Sequence, residues 1–358
     1  MLTTWHVMSA DPLPARSDRL FYPHLDPFPL NYRPSPDQVD PSTNLTGPDA
    51  MALLKAARGR RQAAMAGGTV LLQPADSRAR PFYVEAHYVT RDFFAMFGIP
   101  MVSGMPWAVA DDEGHALAVV LSAGLARQLF GAAIAVGRTV RLDHHDYRVV
   151  GVSSDWEPEP KFYVDASESH FDTPDRLYLP LSTALDQDLN FAGNLTSWGN
   201  KPVVDRWVDE ASWLQFWVEL DSATQVADYR QFLYNYAEQQ HALGRFQRSP
   251  QLARLDSLMS HLRQLGMVTG DVRLQLALAQ AFQGVCLLNI TAMLLAMYLR
   301  RSGEISIRRA LGASRQAIFS QLAAESAGIE LLGGACWDCF CRSLVWGSFG
   351  SGRMITPA

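Results

Sequence analysis

The stretch "LQLALAQAFQGVCLLNITAMLLAMYLRRSGEISIRRALGAS", residues 274–314, decides how the chain is organised. Its first 26 residues, Leu274 to Leu299, carry no charge. That exceeds the roughly 20 residues a helix needs to cross about 30 Å of hydrocarbon. Arg300 to Arg315 then holds five arginines (300, 301, 308, 309 and 315) against one acid, Glu304. Only three of the 31 basic residues are lysines (Lys55, Lys161 and Lys201), so the information lies in the clustering and not in the residue type. Gln275, Gln280, Gln283 and Asn289 suit a membrane helix packed on other helices, where amide side chains find partners. The competing reading is the buried core helix of a soluble protein. Core helices of this length rarely lack charge, and the arginines stand at one end only. By the positive-inside rule that end is cytoplasmic and residues 1 to about 270 lie outside.

The remaining composition sets bounds. A chain of 358 residues is long enough for one large domain or two ordinary ones. A net charge of −5 gives no global attraction to nucleic acid, and no nucleic-acid partner is expected. The opening "MLTTWHVMSADPLPARSDRL" lacks the basic and long apolar regions of a signal peptide. Cysteine is absent before Cys286, so the large N-terminal part has no disulfide. "CWDCFC", with Cys336, Cys339 and Cys341, has Cys-x-x-Cys spacing but no second ligand pair nearby. Neither a metal nor a cofactor is expected.

Ahead of the apolar stretch the patterns alternate between helix and strand. Residues 10 to 50, rich in proline, predict extended chain and turns. A short helix is expected from Pro48 or Asp49 through Arg61, then strands at "GTVLLQP" and "FYVEAHYVT", and one or two helical turns at "RDFFAMFG" ended by Gly98. "ALAVVLS" predicts a buried strand, and "SAGLARQLFG" a helix capped by Ser122 and closed by Gly131. Strands at Arg138–Leu142 and Tyr147–Val152 flank a polar turn. "DRLYLPLS" and "WLQFWVELD" predict strands. Ala223–His241 predicts a helix with Val226, Tyr229, Phe232, Leu233 and Tyr236 inward, and Leu252–Met267 a further helix.

Residues bearing chemistry are few. Gly303 to Leu311 predicts a helix with Glu304 and Arg308 four apart, Gly312 ending it and Ser314 able to cap the next. Its plainer reading is a basic loop that only sets topology. No "GxxxxGK[ST]" loop is present, so ATP hydrolysis belongs to a separate subunit. His144-His145-Asp146 sits between two predicted strands and suits a turn better than a catalytic or metal cluster. Asp155, Glu157 and Glu159 suit a solvated loop, and Trp5, Trp107, Trp156, Trp198, Trp207, Trp213 and Trp217 suit core or rim. "NLT" at 44 and 194 matches an N-glycosylation acceptor, a motif common by chance. No nucleophile, base and orienting group converge in a motif, so an enzyme is not expected.

The segment "RRSGEISIRRALGASRQAIFSQLAAESAGIELLGG" resembles the region between the second and third membrane helices of ABC permeases of the MacB/FtsX family. Arg300, Arg301, Glu304, Ile305, Ile307, Arg308, Arg309, Ala310, Leu311, Gly312, Ala313, Glu325, Ser326, Gly333 and Gly334 match the family pattern in order. "VTRDFFAMFGIPMVSGMPW", "AVVLSAGLARQLFG" and "VGRTVRLDHHDYRVVGV" are similar to that family's periplasmic core domain. The resemblance implies an α+β extracytoplasmic domain followed by a transmembrane helix and a cytoplasmic helical segment. The expected divisions are 1–14, the end of a first membrane helix; 15–270, the core domain, with a second lobe at about 175–265; 274–299, the membrane helix; 300–334, the coupling segment and the start of the next membrane helix; and 335–358, an atypical tail. It further implies a separate ABC ATPase as partner, pairing with another permease chain, contact with membrane lipid, and ATPase coupling through Glu304, Ile305, Ile307, Arg308, Arg309, Ala310, Leu311 and Gly312. Family members have four membrane helices, and Asp338, Arg342 and Arg353 interrupt any span after Gly334, so the chain is expected to be a fragment. The rival expectations are a single-pass, membrane-anchored binding or sensor domain and a non-functional permease fragment.

Overall fold

A computed structural model describes residues 11–33, 44–74, 80–131, 134–165, 174–198, 211–265 and 270–300, together with 168, 170, 303, 306, 307, 310–312, 314, 316 and 320. The chain divides into two units, Met1–Leu276 and Ala277–Ala358.

The first unit begins with β1 (Leu20–His24), β2 (Leu45–Thr46), α1 (Gly47–Ala56), β3 (Arg61–Gln73), β4 (Phe82–Val89) and α2 (Asp92–Phe97). It continues through β5 (Met101–Gly104), α3 (Val109–Glu113), β6 (Ala118–Ser122), α4 (Ala123–Phe130), β7 (Thr139–Leu142) and β8 (His145–Ser153). Then come β9 (Leu177–Pro180), α5 (Leu181–Asp186), β10 (Thr196–Ser197), β11 (Ala211–Glu219), α6 (Ala223–Ala242), β12 (Arg254–Ser257) and α7 (Leu258–Gln264). The strands form one mixed sheet in the order β12-β1-β11-β3-β4-β9-β6-β8-β5. Strand β7 bridges β3 and β8, while β2 and β10 add to β11. Among the described residues, only β4–β9 and β6–β8 are parallel pairs.

Side chains alternate across a pleated strand, so a sheet covered on both sides shows two cores in the same strands. Phe21, Ala64, Ala66, Val119, Leu121, Phe216 and Val218 enter one hydrophobic cluster. Their neighbours Leu20, Tyr22, Ala63, Met65, Ala118, Val120 and Trp217 enter the other. All nine residues of β11 are buried, as a strand sandwiched on both faces requires.

Helix ends follow local chemistry. The Thr46 hydroxyl oxygen accepts the Asp49 N–H at 3.2 Å to start α1, and Ala57, at φ 46°, ends it. The helix therefore stops short of the expected Arg61, which instead opens β3. Ser122 caps α4 through the Leu125 N–H at 3.2 Å, and Gly131 closes it, as expected. Gly98 ends α2 with φ 70°. Tyr229 and Leu233 of α6 are buried, and Val226, Phe232 and Tyr236 pack against the same core.

One expectation is given a definite form and another is corrected. The proline-rich start contains β1: Pro23 lies past the β1–β11 ladder, which uses only Leu20 and Phe21, so its missing N–H costs that ladder nothing. Residues 252–267 were expected to be one helix, yet Arg254–Ser257 pairs with β1 and only Leu258–Gln264 is helical.

Helix α8 (Gly270–Arg300) carries the uncharged stretch. Its membrane-competent part is Ala277–Ala296, 20 residues of mean hydropathy 1.6, none of them buried. Leu278, Phe282, Val285, Leu288 and Met293 are all exposed, the reverse of a soluble core helix. A helix apolar all round and covered by no protein is suited to lipid.

Candidate functional site after the apolar helix

Beyond Arg300, Gly303, Ser306, Ile307 and Ala310 have helical backbone. The Leu311 N–H donates to the Ile307 carbonyl at 3.0 Å, a helical i→i−4 bond. Gly312 follows with φ 94°, in the region that favours glycine, and the short helix ends there. Ile307 and Leu311, four apart and so on one face, are 63% and 83% exposed. Of the residues expected to form this site, Ile307, Ala310, Leu311 and Gly312 are thus placed on one short element. Glu304, Ile305, Arg308 and Arg309 lie outside the described residues, as do the cysteines at 336–341.

The other expected features fall in the first unit. Asp143 and His144 make the tight β7–β8 turn, and His145 and Asp146 start β8. The Asp143 carboxylate accepts the Leu71 N–H at 3.2 Å, which ties that turn to β3. Asp155, Glu157 and Glu159 are exposed. Asp155 also accepts the Gly124 N–H at 2.7 Å and pairs with Arg127 at 3.0 Å, anchoring the start of α4. Trp107, Trp213 and Trp217 are core residues, whereas Trp156 and Trp198 are half-buried; Trp5 and Trp207 lie outside the described residues. Asn44, the first glycosylation-like asparagine, is buried and its amide donates to Asp165, so it offers no room for a glycan.

Sequence reasoning missed a set of buried polar groups beneath the sheet. Asp165 accepts from the Asn44 and Gln215 amides, the latter at 3.2 Å, and from the Asn194 N–H at 3.1 Å. His24 meets Asp256 at 3.0 Å and His87 meets Asp175 at 3.5 Å. His261 stacks on Tyr22 with ring centres 4.0 Å apart. Burial pushes His87, His170 and His261 below the ordinary imidazole range, and His24 adds to the effect at His261. Burial, with Asp165 and Asp175 nearby, pushes the Glu168 carboxyl up to about 7. These residues are scattered from 24 to 261, so no spacing in the sequence announces them. Among the described residues no three His, Cys, Asp or Glu side chains stand together as a metal site.

A mixed α/β domain followed in the chain by an apolar helix long enough to cross a membrane, and then by a short glycine-ended helix, is the organisation of a large domain placed ahead of a candidate membrane span. Residues 8–232 match the family described as MacB-like periplasmic core domain, and residues 276–336 match the FtsX-like permease C-terminal family. With more than half of it matched, the chain belongs to the MacB/FtsX permease family. Members of this family are inner-membrane proteins with a periplasmic domain.

The chain is 25% identical over 219 residues to the macrolide export ATP-binding/permease protein MacB of Chlorobium luteolum. That match covers 60% of this chain and 28% of the relative's length. Among solved structures, the periplasmic region of MacB from Actinobacillus actinomycetemcomitans aligns at 15% identity and TM-score 0.45, covering 72% of this chain and 97% of that one. The extracellular domain of the ABC-type transporter YknZ from Gram-positive bacteria aligns at 13% identity and TM-score 0.40, covering 62% of this chain and 95% of that one.

Proposed function

We propose that this chain acts as the permease subunit of an ABC transporter, in which a separate ATPase moves the periplasmic domain. Residues 304–312 are the segment that engages the ATPase, residues 274–299 relay its movement, and residues 15–270 respond. The chain supplies no catalytic group; hydrolysis belongs to the ATPase, and a second permease chain completes the membrane part. The observation that carries this reading is the short helix ending at Gly312, which leaves Ile307 and Leu311 exposed side by side directly after the membrane helix. An exposed apolar pair on one helical face suits insertion into a partner's groove, and flanking arginines suit an acidic rim.

The test is the Arg308→Glu, Arg309→Glu double substitution in the permease assembled with its ATPase, with membrane insertion verified first. It is expected to lower permease-dependent ATP hydrolysis by about tenfold or more, because two attractive contacts become repulsive. Gly312→Val is expected to act in the same direction by straining a positive-φ helix end. Unchanged ATPase association and hydrolysis in the double variant would reduce the basic segment to a topology signal and favour the single-pass sensor.

A further inference from the structure

A groove of about 600 Å³ opens on the core domain between α1, the Thr90–Asp92 turn, α3 and α5. This lies within the range of small-molecule sites. Leu54, Leu181 and Leu185 line it, and Met51 and Val109, 38% and 50% exposed, widen the apolar surface toward solvent.

The charged groups of the groove are not equally occupied. The Asp92 carboxylate accepts the Gln62 N–H at 3.3 Å. Asp112 accepts the Arg91 N–H at 3.0 Å and the Trp107 indole N–H at 3.1 Å, and burial pushes its carboxyl up toward the neutral form. Asp186 pairs with the His115 ring. Lys55 and Arg91 are also part of the lining, and both are exposed. Neither side chain makes a hydrogen bond or close ion pair among the described residues; the guanidinium of Arg91 meets Asp112 only as a longer-range attraction. The acids are thus committed to the protein, while two cationic donors face outward beside an apolar floor.

We propose that this groove binds an amphipathic anion, its apolar body on Leu54, Leu181 and Leu185 and its carboxylate or phosphate between Lys55 and Arg91. The chemistry is common to a free fatty acid and to the head and chain of an anionic lipid. A purely apolar ligand would leave both cations unused, and a small anion would leave the floor wet. The site is independent of the coupling role proposed for residues 304–312.

The test uses the full chain in lipid nanodiscs with a diazirine-bearing dodecanoate, the crosslinked peptides being mapped by mass spectrometry. Crosslinks are expected within residues 47–56 and 181–186. Unlabelled dodecanoate and dodecyl phosphate are expected to suppress them, while dodecanol and acetate are not. Short-chain phosphatidate separates the two sources: competition stronger than that of dodecanoate assigns the groove to a lipid head, weaker competition to a free acyl anion. Lys55→Gln with Arg91→Gln is expected to lower labelling about tenfold, the loss of two charge-assisted contacts. Lys55→Arg with Arg91→Lys, which keeps both charges, is expected to retain it. Absent groove labelling, equal competition by dodecanol, or equal labelling in the charge-removed and charge-kept variants would overturn the proposal.

Discussion

Asp49 has no exposed surface, yet it takes the Thr46 hydroxyl at 2.6 Å and the Tyr236 hydroxyl at 2.7 Å and pairs with Arg245. A buried carboxylate is tolerable only while it is so compensated. Asp49→Ala is expected to cost about 3–5 kcal/mol, because Arg245 and Tyr236 are left facing a void. The urea midpoint of residues 15–265 expressed alone measures this, and a shift equivalent to less than about 1 kcal/mol would contradict it. A second residue-scale expectation concerns acid. His87, His170 and His261 are held neutral in the fold, whereas in the unfolded chain imidazoles take up protons below about pH 6.5. The unfolded state then binds more protons, so stability present above that pH is lost as pH falls. Glu168 runs the other way: its raised carboxyl favours the fold below the ordinary carboxylate range, and that contribution is lost as pH rises to about 7. Three histidines outweigh one carboxyl, so the thermal midpoint should fall between about pH 7.5 and about pH 5.5, and His261→Phe should shrink the difference. Asp256 adds a later loss. Burial raises its carboxyl, but His24, Gln264 and Arg254 together bring it down to about 2, and that stabilisation disappears as pH drops from about 4 toward 2.

Two helix starts with the same capping geometry should respond differently. Ser122→Ala removes one capping oxygen from α4 and should cost about 1 kcal/mol. Thr46→Ala removes the cap of α1 and also a donor to buried Asp49, and should cost about 2 kcal/mol or more. Equal midpoint shifts for the two variants would show that the Thr46–Asp49 bond adds nothing. Elements of this kind were legible in the sequence wherever one local signal dominated. Ser122 and Gly131 bracket α4, Gly98 stops α2, and α6 shows its inward stripe. Legibility failed where distant partners decided. Nothing near Pro23 or Arg254 says that those segments pair with each other, because a strand in a mixed sheet is completed by residues far along the chain. The segment proposed for coupling stands out in the sequence by composition alone, which changes abruptly at Arg300. The groove beside Lys55 and Arg91 was illegible, as residues 51 to 186 meet there only after folding.

At the scale of the whole molecule, the charge asymmetry about Ala277–Ala296 fixes a direction. An alkaline phosphatase fused after residue 265 should be active, and one fused after Ser314 inactive. The opposite pattern would invert the assignment.

The register of β1 and β12 has a mechanical consequence. Phe21 faces Ser257 and His24 faces Arg254, so the chain enters β1 and leaves β12 at the same end of one antiparallel ladder. A load that drew those two entry points apart would open the ladder like a zip, one residue pair after another, against little resistance at any moment. A load that carried both points together would leave every pair unstressed. The β1–β12 margin thus parts pair by pair only under a load that separates its two ends, and a load shared by both ends spares it.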